Sequence, residues 1–284
     1  MTGRTVSLAA AALGACAVLP VAGAAARGAG SPAPAATKPA SPGGAAATRP
    51  AVDPAAMKIL KDLEAAGDKH KTIRADIDYH VVMRALGDSE TRTGWVAYRK
   101  GDAKTPTMFR ITFETLKQGA GRKLRARVDY AFDGQWFTVA KHKIKTMTLF
   151  QLAAKGQRIE PLRIGRGPFP LPFGQKADDV LKYFQPTTRP PTSSDPKGTR
   201  YLRLTTRARY RKSMSFERLE LWIEPKTSLP VKIRSRDKSR NVTTVTFKNV
   251  KTNLKLPADT FRIPRKLGWE VHRRPLKGAR KILP

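Results

Sequence analysis

The chain has 284 residues and carries 55 Lys and Arg against 22 Asp and Glu, which gives a net charge of +33. A charge of this sign attracts anionic partners and raises the rate of encounter with them at low salt, although the same side chains also suit the solvated faces of strands. The single cysteine, Cys16, excludes a disulfide or a cysteine metal site in the body of the chain.

Residues 1–26 have the pattern of a secretory signal peptide. One charged residue, Arg4, precedes an uncharged run from about Val6 to Ala26 that ends in small residues. Because Pro20 interrupts the run and its length barely reaches the ~20 residues of a membrane span, cleavage is favoured over anchoring. Leu13-Gly14-Ala15-Cys16 also resembles a bacterial lipobox, which makes Cys16 a candidate lipidation site. We expect a periplasmic protein, with a lipid-anchored form as the alternative.

Residues 27–52 consist almost entirely of Ala, Pro, Gly, Ser and Thr. This composition offers nothing large to bury, so we expect a disordered spacer.

The folded part is predicted to begin with a helix. Asp53 is a suitable N-cap, Pro54 fits the first turn, and Gly67 fits the end of the helix.

Beyond this helix the apolar residues alternate with polar ones, starting with Ile73, Ala75, Ile77, Tyr79 and Val81. Period-two alternation predicts strands with one buried and one wet face. Similar runs separated by turn residues predict about ten strands in meander order. This indicates a mainly β, antiparallel sheet curled around its apolar side.

One insertion interrupts this meander between about residues 156 and 196. It contains a Pro- and Phe-rich loop over residues 167–174, followed by Ala177, Val180, Leu181 and Phe184 at the spacing of one helical face. Two helices over a curved sheet predict a lid over an apolar cavity.

Several motifs occur in an order and spacing that resemble the LolA-like lipoprotein carriers of the bacterial envelope. They are Gly94-Trp95-Val96-Ala97-Tyr98-Arg99, Met108-Phe109-Arg110, Asp133-Gly134 with Trp136, and a closing set of Phe247-Lys248-Asn249-Val250, Asn253, Phe261, Pro264, Gly268 and Val271. The C-terminus adds Arg273, Arg274, Lys277, Arg280 and Lys281, a basic tail over residues 273–284 that the family pattern does not need. The resemblance implies an unclosed, LolA-like half-barrel over residues 53–272, with helices as a lid. It also implies that Arg99 controls lid closure by bonding to the helices.

The predicted cavity is lined by apolar and aromatic residues of the strands and the lid. The wall candidates are Trp95, Phe109, Phe113, Tyr130, Phe132 and Trp136, and the lid candidates are Phe169, Phe173, Val180, Leu181 and Phe184. We expect no cofactor, no metal and no catalytic residue, because the four histidines are scattered and no nucleophile motif is present.

The favoured function is an envelope carrier that shelters acyl chains and moves lipoproteins toward the outer membrane. Its expected partners are acylated lipoproteins or lipids, an anionic membrane surface and a membrane docking protein, with no nucleic acid and a monomeric state. Two alternatives remain open at this point: a periplasmic lipid- or lipoprotein-sensing regulatory module, and a polyanion-binding envelope protein.

Overall fold

The computed structural model describes residues 52–154, 156–157, 159 and 175–276. These residues form two α-helices and twelve strands. The helices are α1 (Pro54–Lys69) and α2 (Ala177–Tyr183). The strands are β1 (Thr72–Met83), β2 (Asp88–Arg99), β3 (Met108–Gln118), β4 (Leu124–Phe132), β5 (Trp136–Lys141), β6 (Thr146–Gln151), β7 (Phe184–Thr187), β8 (Arg200–Thr206), β9 (Phe216–Ile223), β10 (Pro230–Asp237), β11 (Val242–Thr252) and β12 (Glu270–Arg274).

All twelve strands belong to one sheet, in the order β12-β6-β5-β4-β3-β2-β1-β11-β10-β9-β8-β7. Every neighbouring pair is antiparallel except β12 and β6, which are parallel. Strands β12 and β7 form the two edges of the sheet, so the sheet is not closed. The predicted fold class, an unclosed antiparallel half-barrel with helices, is confirmed, with twelve strands rather than about ten.

The strand register separates the sheet into two faces, because residues paired across neighbouring strands point to the same side. On one face, Ile77 of β1 pairs with Phe247 of β11. On the same face, Ala75 of β1 pairs with Val96 of β2, Val96 pairs with Ile111 of β3, and Ile111 pairs with Tyr130 of β4. We call the side that carries these residues the inner face. The alternate residues, among them Asp76, Trp95, Thr112 and Asp129, point to the outer face.

Helix α1 begins as the sequence predicts, because Asp53 Oδ1 accepts a hydrogen bond from the amide of Ala55 at 2.9 Å. The predicted end at Gly67 is wrong, since the helix continues to Lys69 and Gly67 is buried within it. The helix lies on the inner face, where its Asp62 accepts a bond of 2.5 Å from Arg200 of β8.

Helix α2 is joined to α1 by a hydrogen bond of 3.1 Å from the amide of Ala177 to Glu64 Oε2. Asp178 and Asp179 occupy its first turn, as expected for the positive end of a helix dipole. Phe184 does not continue the helical face, contrary to the prediction. It is the first residue of β7, where the chain turns extended to pair with Thr206.

The most deeply buried aliphatic core lies under these helices, on the inner faces of β8 and β9. It consists of fully buried side chains at alternate positions, which are Leu202, Leu204, Leu219, Leu221 and Ile223. Buried residues of α1, including Ile59, Leu60 and Leu63, complete this core. Such burial contributes roughly 1.5–3 kcal/mol for each large side chain, so this half of the sheet holds the helices firmly.

After β11, residues 253–269 cross the outer face from one end of the sheet to the other, and we call them the crossing segment. Arg99 donates to the carbonyl of Leu256 at 3.0 Å, and Arg110 donates to the carbonyls of Thr260 and Arg262, each at 3.2 Å. The chain then enters β12. Arg273 and Arg274, which the sequence analysis assigned to a basic tail, are the last two residues of that strand.

Several predicted features lie outside the described residues. They are the signal peptide and Cys16, the spacer up to residue 51, the lid candidates Phe169 and Phe173, and the tail from residue 277 onward. Neither of the two described helices has the length and apolar character that a membrane crossing requires.

Candidate acyl-binding wall

Aromatic side chains from four neighbouring strands form a continuous surface on the inner face. Phe109 lies 6.0 Å from Phe132 and 6.2 Å from Phe137, measured between ring centroids. Tyr130 lies 6.2 Å from Phe113 and 6.3 Å from Phe137. Phe150 extends the row at 6.5 Å from Phe137. We call these six residues of β3, β4, β5 and β6 the aromatic wall.

The rings adopt tilted, stacked and edge-to-face arrangements, which are the favoured geometries for aromatic pairs. Phe109, Phe113, Phe132 and Phe137 are buried, whereas Tyr130 and Phe150 remain half-buried. The wall therefore has a packed base and a partly open side.

Four of the predicted wall residues lie in this surface, namely Phe109, Phe113, Tyr130 and Phe132. Trp95 and Trp136 do not, because the register turns them to the outer face. Trp95 pairs with Asp76 and Thr112, and Trp136 precedes the inward-pointing Phe137. The error has a simple cause: in Gly94-Trp95-Val96 and Trp136-Phe137 adjacent residues are apolar, so the sequence does not fix which of them points inward.

On the outer face Trp95 serves as a platform for cations. The guanidinium carbon of Arg74 lies 3.7 Å from its ring centroid, and that of Arg110 lies 5.3 Å away. Cation–π contacts of this kind account for a half-buried tryptophan on a polar face.

Sequence reasoning missed an ion pair on the inner face beside the wall. Arg92 Nε and Glu90 Oε1 are 2.5 Å apart, and the Glu90 side chain is buried. Arg92 pairs with Tyr79 across β1 and β2 and lies 5.9 Å from the Phe113 ring. The sequence carried one signal of it, since Asp88-Ser89-Glu90-Thr91-Arg92 is a strand in which every residue is polar.

Burial raises the pKa of both tyrosines in this region from 10.0 to about 12. Tyr79 lies 5.4 Å from Phe113, and Tyr130 stands between Phe113 and Phe137. The inner face here is therefore a poorly hydrated environment that disfavours charge.

The described lid candidates lie in a different part of the inner face. Val180 is buried, Leu181 is half-buried, and Phe184 stacks on Phe216 with centroids 5.9 Å apart. Contact of Val180, Leu181 or Phe184 with a ligand stays a prediction.

Arg99 contacts the crossing segment on the outer face. Besides its bond to Leu256, its guanidinium lies 5.0 Å from the centroid of the buried Phe261 ring. These contacts are with the C-terminal part of the chain, whereas the resemblance implied contacts with the helices. A role in lid closure stays a prediction.

A second feature that the sequence did not reveal is the carboxylate of Asp129, which is fully buried on the outer face. It accepts hydrogen bonds from Thr112 Oγ1 at 2.6 Å, His142 Nε2 at 2.6 Å, Arg127 Nε at 3.0 Å and Arg110 at 3.1 Å. Burial alone would raise the pKa of Asp129, but these hydrogen bonds lower it to about 2. The carboxylate therefore joins β3, β4 and the β5–β6 turn.

Within the described ranges no group of three or more His, Cys, Asp or Glu side chains has the arrangement of a metal site. Beside the aromatic wall the inner face supports apolar contact, and the Glu90–Arg92 ion pair lies on its β2 side.

Comparison with known proteins gave no match to a family model and no match to a curated protein. Solved structures that resemble the chain include an uncharacterized conserved protein from Thermus thermophilus, with a TM-score of 0.46 and 12% identity over 78% of this chain and 99% of that one. The MucA/MucB complex of Pseudomonas aeruginosa has a TM-score of 0.41 and 14% identity over 74% of this chain and 61% of the matched one. A LolA superfamily protein from Nitrosomonas europaea has a TM-score of 0.34 and 13% identity over 73% and 97%. A LolA superfamily structure is thus among those that this chain resembles, while the half-barrel assignment itself rests on the strand order and register.

Proposed function

We propose that this protein is an exported carrier that shelters acyl chains of lipids or lipoproteins against the aromatic wall. The observation that carries the proposal is the wall itself: six aromatic rings in continuous contact on the inner face of a sheet that remains unclosed. An open sheet allows a flexible chain to enter from the side, whereas a closed barrel would have to admit it through one end.

The energetics fit reversible binding. Burial of one methylene group contributes roughly 0.8 kcal/mol, so a partly covered acyl chain already binds with useful affinity. Tyr130 and Phe150 are half-buried and offer the surface that a chain can cover.

The Glu90–Arg92 pair limits how far an apolar chain extends on this face. The guanidinium near Phe113 keeps one end of the wall polar. We therefore place the acyl chain along β3 to β6, from Phe113 toward Phe150.

Export by the signal peptide would place the carrier in the periplasm, in soluble form or held by a lipid on Cys16. Its cargo there would be acylated lipoproteins, moved toward the outer membrane with the help of a membrane docking protein.

The first test is mass spectrometry of an organic extract from protein purified out of its native envelope, with the intact mass of the protein measured in parallel. Acylated peptides or lipids in near-stoichiometric amount support the carrier, and the intact mass decides whether Cys16 is acylated. A fully folded protein without any acyl compound would contradict the proposal and identify the wall as ordinary core.

A matched pair of variants tests the position of the cargo. Val139 points to the inner face beside Tyr130, and Thr138 points outward on the same strand; both are half-buried. Val139→Glu is expected to reduce bound acyl compounds at least tenfold, because it places a charge against the chain. Thr138→Glu is expected to retain them, and an equal loss in both variants would contradict binding at the wall.

A further inference from the structure

The connections between strands differ sharply in charge at the two ends of the sheet. One end holds the β1–β2, β3–β4, β5–β6, β8–β9 and β10–β11 connections, because successive antiparallel strands reverse direction. The crossing segment also reaches this end, where the amide of Glu270 donates to the carbonyl of Lys145 at 3.0 Å. We call the segments 84–87, 119–123, 142–145, 207–215, 238–241 and 265–269 the basic rim.

The basic rim carries thirteen Lys and Arg residues and no Asp or Glu. They are Arg84, Arg122, Lys123, Lys143, Lys145, Arg207, Arg209, Arg211, Lys212, Lys238, Arg240, Arg265 and Lys266. All of them are exposed except the half-buried Arg207. Four acids flank the rim at the ends of strands, which are Asp88, Glu217, Asp237 and Glu270.

The opposite end of the sheet carries a much smaller excess of positive charge. Its β2–β3, β4–β5, β7–β8 and β9–β10 connections hold five Lys and Arg residues and four acids, and the segments 70–71 and 253–257, which also lie at this end, add Lys71 and Lys255. The excess of positive charge at the basic rim is therefore a local feature, and it is not explained by the composition of the chain as a whole.

The same rim presents the most exposed large apolar side chains of the described residues. Leu267 is 103% exposed, Leu86 is 67% exposed and Ile144 is 60% exposed. Each lies beside rim cations in its own turn: Leu267 follows Arg265 and Lys266, Leu86 follows Arg84, and Ile144 lies between Lys143 and Lys145. Isolated exposed leucines are ordinary, but here the three most exposed apolar side chains lie at the same end of the strands and are all next to cations.

The Lys and Arg side chains of the basic rim repel each other, and this repulsion weakens the fold unless an anionic partner is present. The rim extends from β6 to β8, on the order of 40 Å along the sheet at the usual strand spacing of about 4.8 Å. A partner that meets all of it must be anionic, extended and apolar just below its charged layer. A phospholipid surface has these properties, since its phosphates face cations and its acyl region accepts apolar side chains.

We propose that the basic rim docks this protein on an anionic phospholipid membrane. The exposed cations contact lipid phosphates, and the Leu86, Ile144 and Leu267 side chains enter the interface. A recess of about 270 Å³ lined by Arg211, Lys212, Phe216, Glu217 and Lys238 lies at the β8–β9 part of the rim, where it offers a place for a headgroup.

This inference goes beyond the proposed carrier function, because the basic rim lies at one end of the strands and the aromatic wall lies on the inner face of the sheet. Membrane binding and acyl-chain content are measured separately. Acyl chains without membrane binding would contradict only the docking surface, and membrane binding without acyl chains would contradict only the carrier function.

The test is sedimentation of the purified chain with vesicles of phosphatidylglycerol and phosphatidylcholine, and with vesicles of phosphatidylcholine alone. The rim variant combines Arg84→Gln, Lys143→Gln, Lys145→Gln and Lys266→Gln. The matched control combines Lys104→Gln, Lys226→Gln, Lys251→Gln and Lys255→Gln, four exposed lysines at the opposite end of the sheet. Both variants lose four positive charges and keep the same N-terminal segment, so only the location of the charges differs.

We expect the chain to bind the anionic vesicles and to release them as salt is added. The rim variant is expected to bind at least about tenfold more weakly, and the control within about twofold of the unaltered chain. An equal loss in both variants, or no loss in the rim variant, would overturn the proposal.

A third variant separates a membrane from a soluble polyanion. Leu86→Ser, Ile144→Ser and Leu267→Ser together keep every cation, so binding to polyphosphate should be unchanged while vesicle binding falls. If vesicle binding is also unchanged in this variant, the rim recognises charge alone and membrane docking is overturned.

Discussion

His142 Nε2 lies 2.6 Å from Asp129 Oδ2, and this bond fastens the β5–β6 turn to a carboxylate that is fully buried under the outer face. The His142 ring also meets the Trp269 ring edge to face at 4.9 Å. The two contacts join β4, the turn and the crossing segment, so this half of the outer face depends on one acidic side chain.

Asp129→Asn is expected to destabilise the fold by about 3–5 kcal/mol, because it leaves Arg110 without its charged partner in a buried position. The measurement is equilibrium unfolding in urea, with Glu114→Gln on the exposed part of β3 as the control. If Asp129→Asn lowers the free energy of unfolding no more than Glu114→Gln does, the hydrogen bonds to Asp129 do not hold the outer face together.

The same carboxylate predicts the acid sensitivity of the protein. The pKa of Asp129 is lowered from 3.8 to about 2, so its stabilising contribution is complete above about pH 4 and is lost as the pH falls toward 2. Unfolding followed by circular dichroism should show this loss in the original chain. In Asp129→Asn the dependence of stability on pH over this interval should be smaller.

Gly94→Ala is expected to be strongly destabilising, by about 3 kcal/mol or more. A Cβ at this position would lie 1.8 Å from the carbonyl oxygen of Thr112 and 2.8 Å from Phe113 Cα, both of which are backbone atoms of β3. The register shifts at this point of the β2–β3 pair, which brings the two backbones together.

The comparison for this variant is Gly198→Ala. Gly198 has a φ of +70° and open space around its Cα, so only the conformational cost of about 1–2 kcal/mol applies. Thermal unfolding of both variants separates the two effects, and equal losses would contradict a steric role for Gly94.

Arg99→Leu tests which partner this arginine serves. Its contacts with Leu256 and Phe261 predict faster hydrogen exchange in residues 256–262 and unchanged exchange in α1. The lid role implied by the family resemblance predicts instead that exchange in α1 and α2, and the rate of cargo release, will change. Exchange measured residue by residue decides between these two outcomes.

The buried tyrosines predict a loss of stability in alkaline solution. The pKa values of Tyr79 and Tyr130 are raised from 10.0 to about 12 by burial, so the folded state keeps protons that the unfolded chain releases. Stability should therefore decline as the pH rises from about 10 to about 12. Tyrosinate absorbance should contain a late phase that is absent from Tyr79→Phe/Tyr130→Phe, and an unchanged titration in that variant would contradict the assignment.

Local sequence determined most of the secondary structure. The alternation in Ile73 to Val81 fixed both the existence and the buried face of β1, and Asp53-Pro54 fixed the start of α1. These features depend on neighbours within a few residues, so period and capping are enough to predict them. The motifs from Gly94 to Val271 resemble those of LolA-like carriers in order and spacing. That resemblance predicted the half-barrel with helices.

Tertiary structure alone decided which of two adjacent apolar residues points inward. Trp95 and Trp136 lie outside because hydrogen bonding to β1, β3 and β6 sets the phase of their strands, and a one-residue shift in phase exchanges the two faces. The partners of Asp129 and Glu90 and the meeting of six distant segments in one basic rim likewise arise from pairing between strands far apart in the chain. Composition sets how much charge and apolar surface the protein carries, but only the folded sheet determines where that charge and surface are brought together.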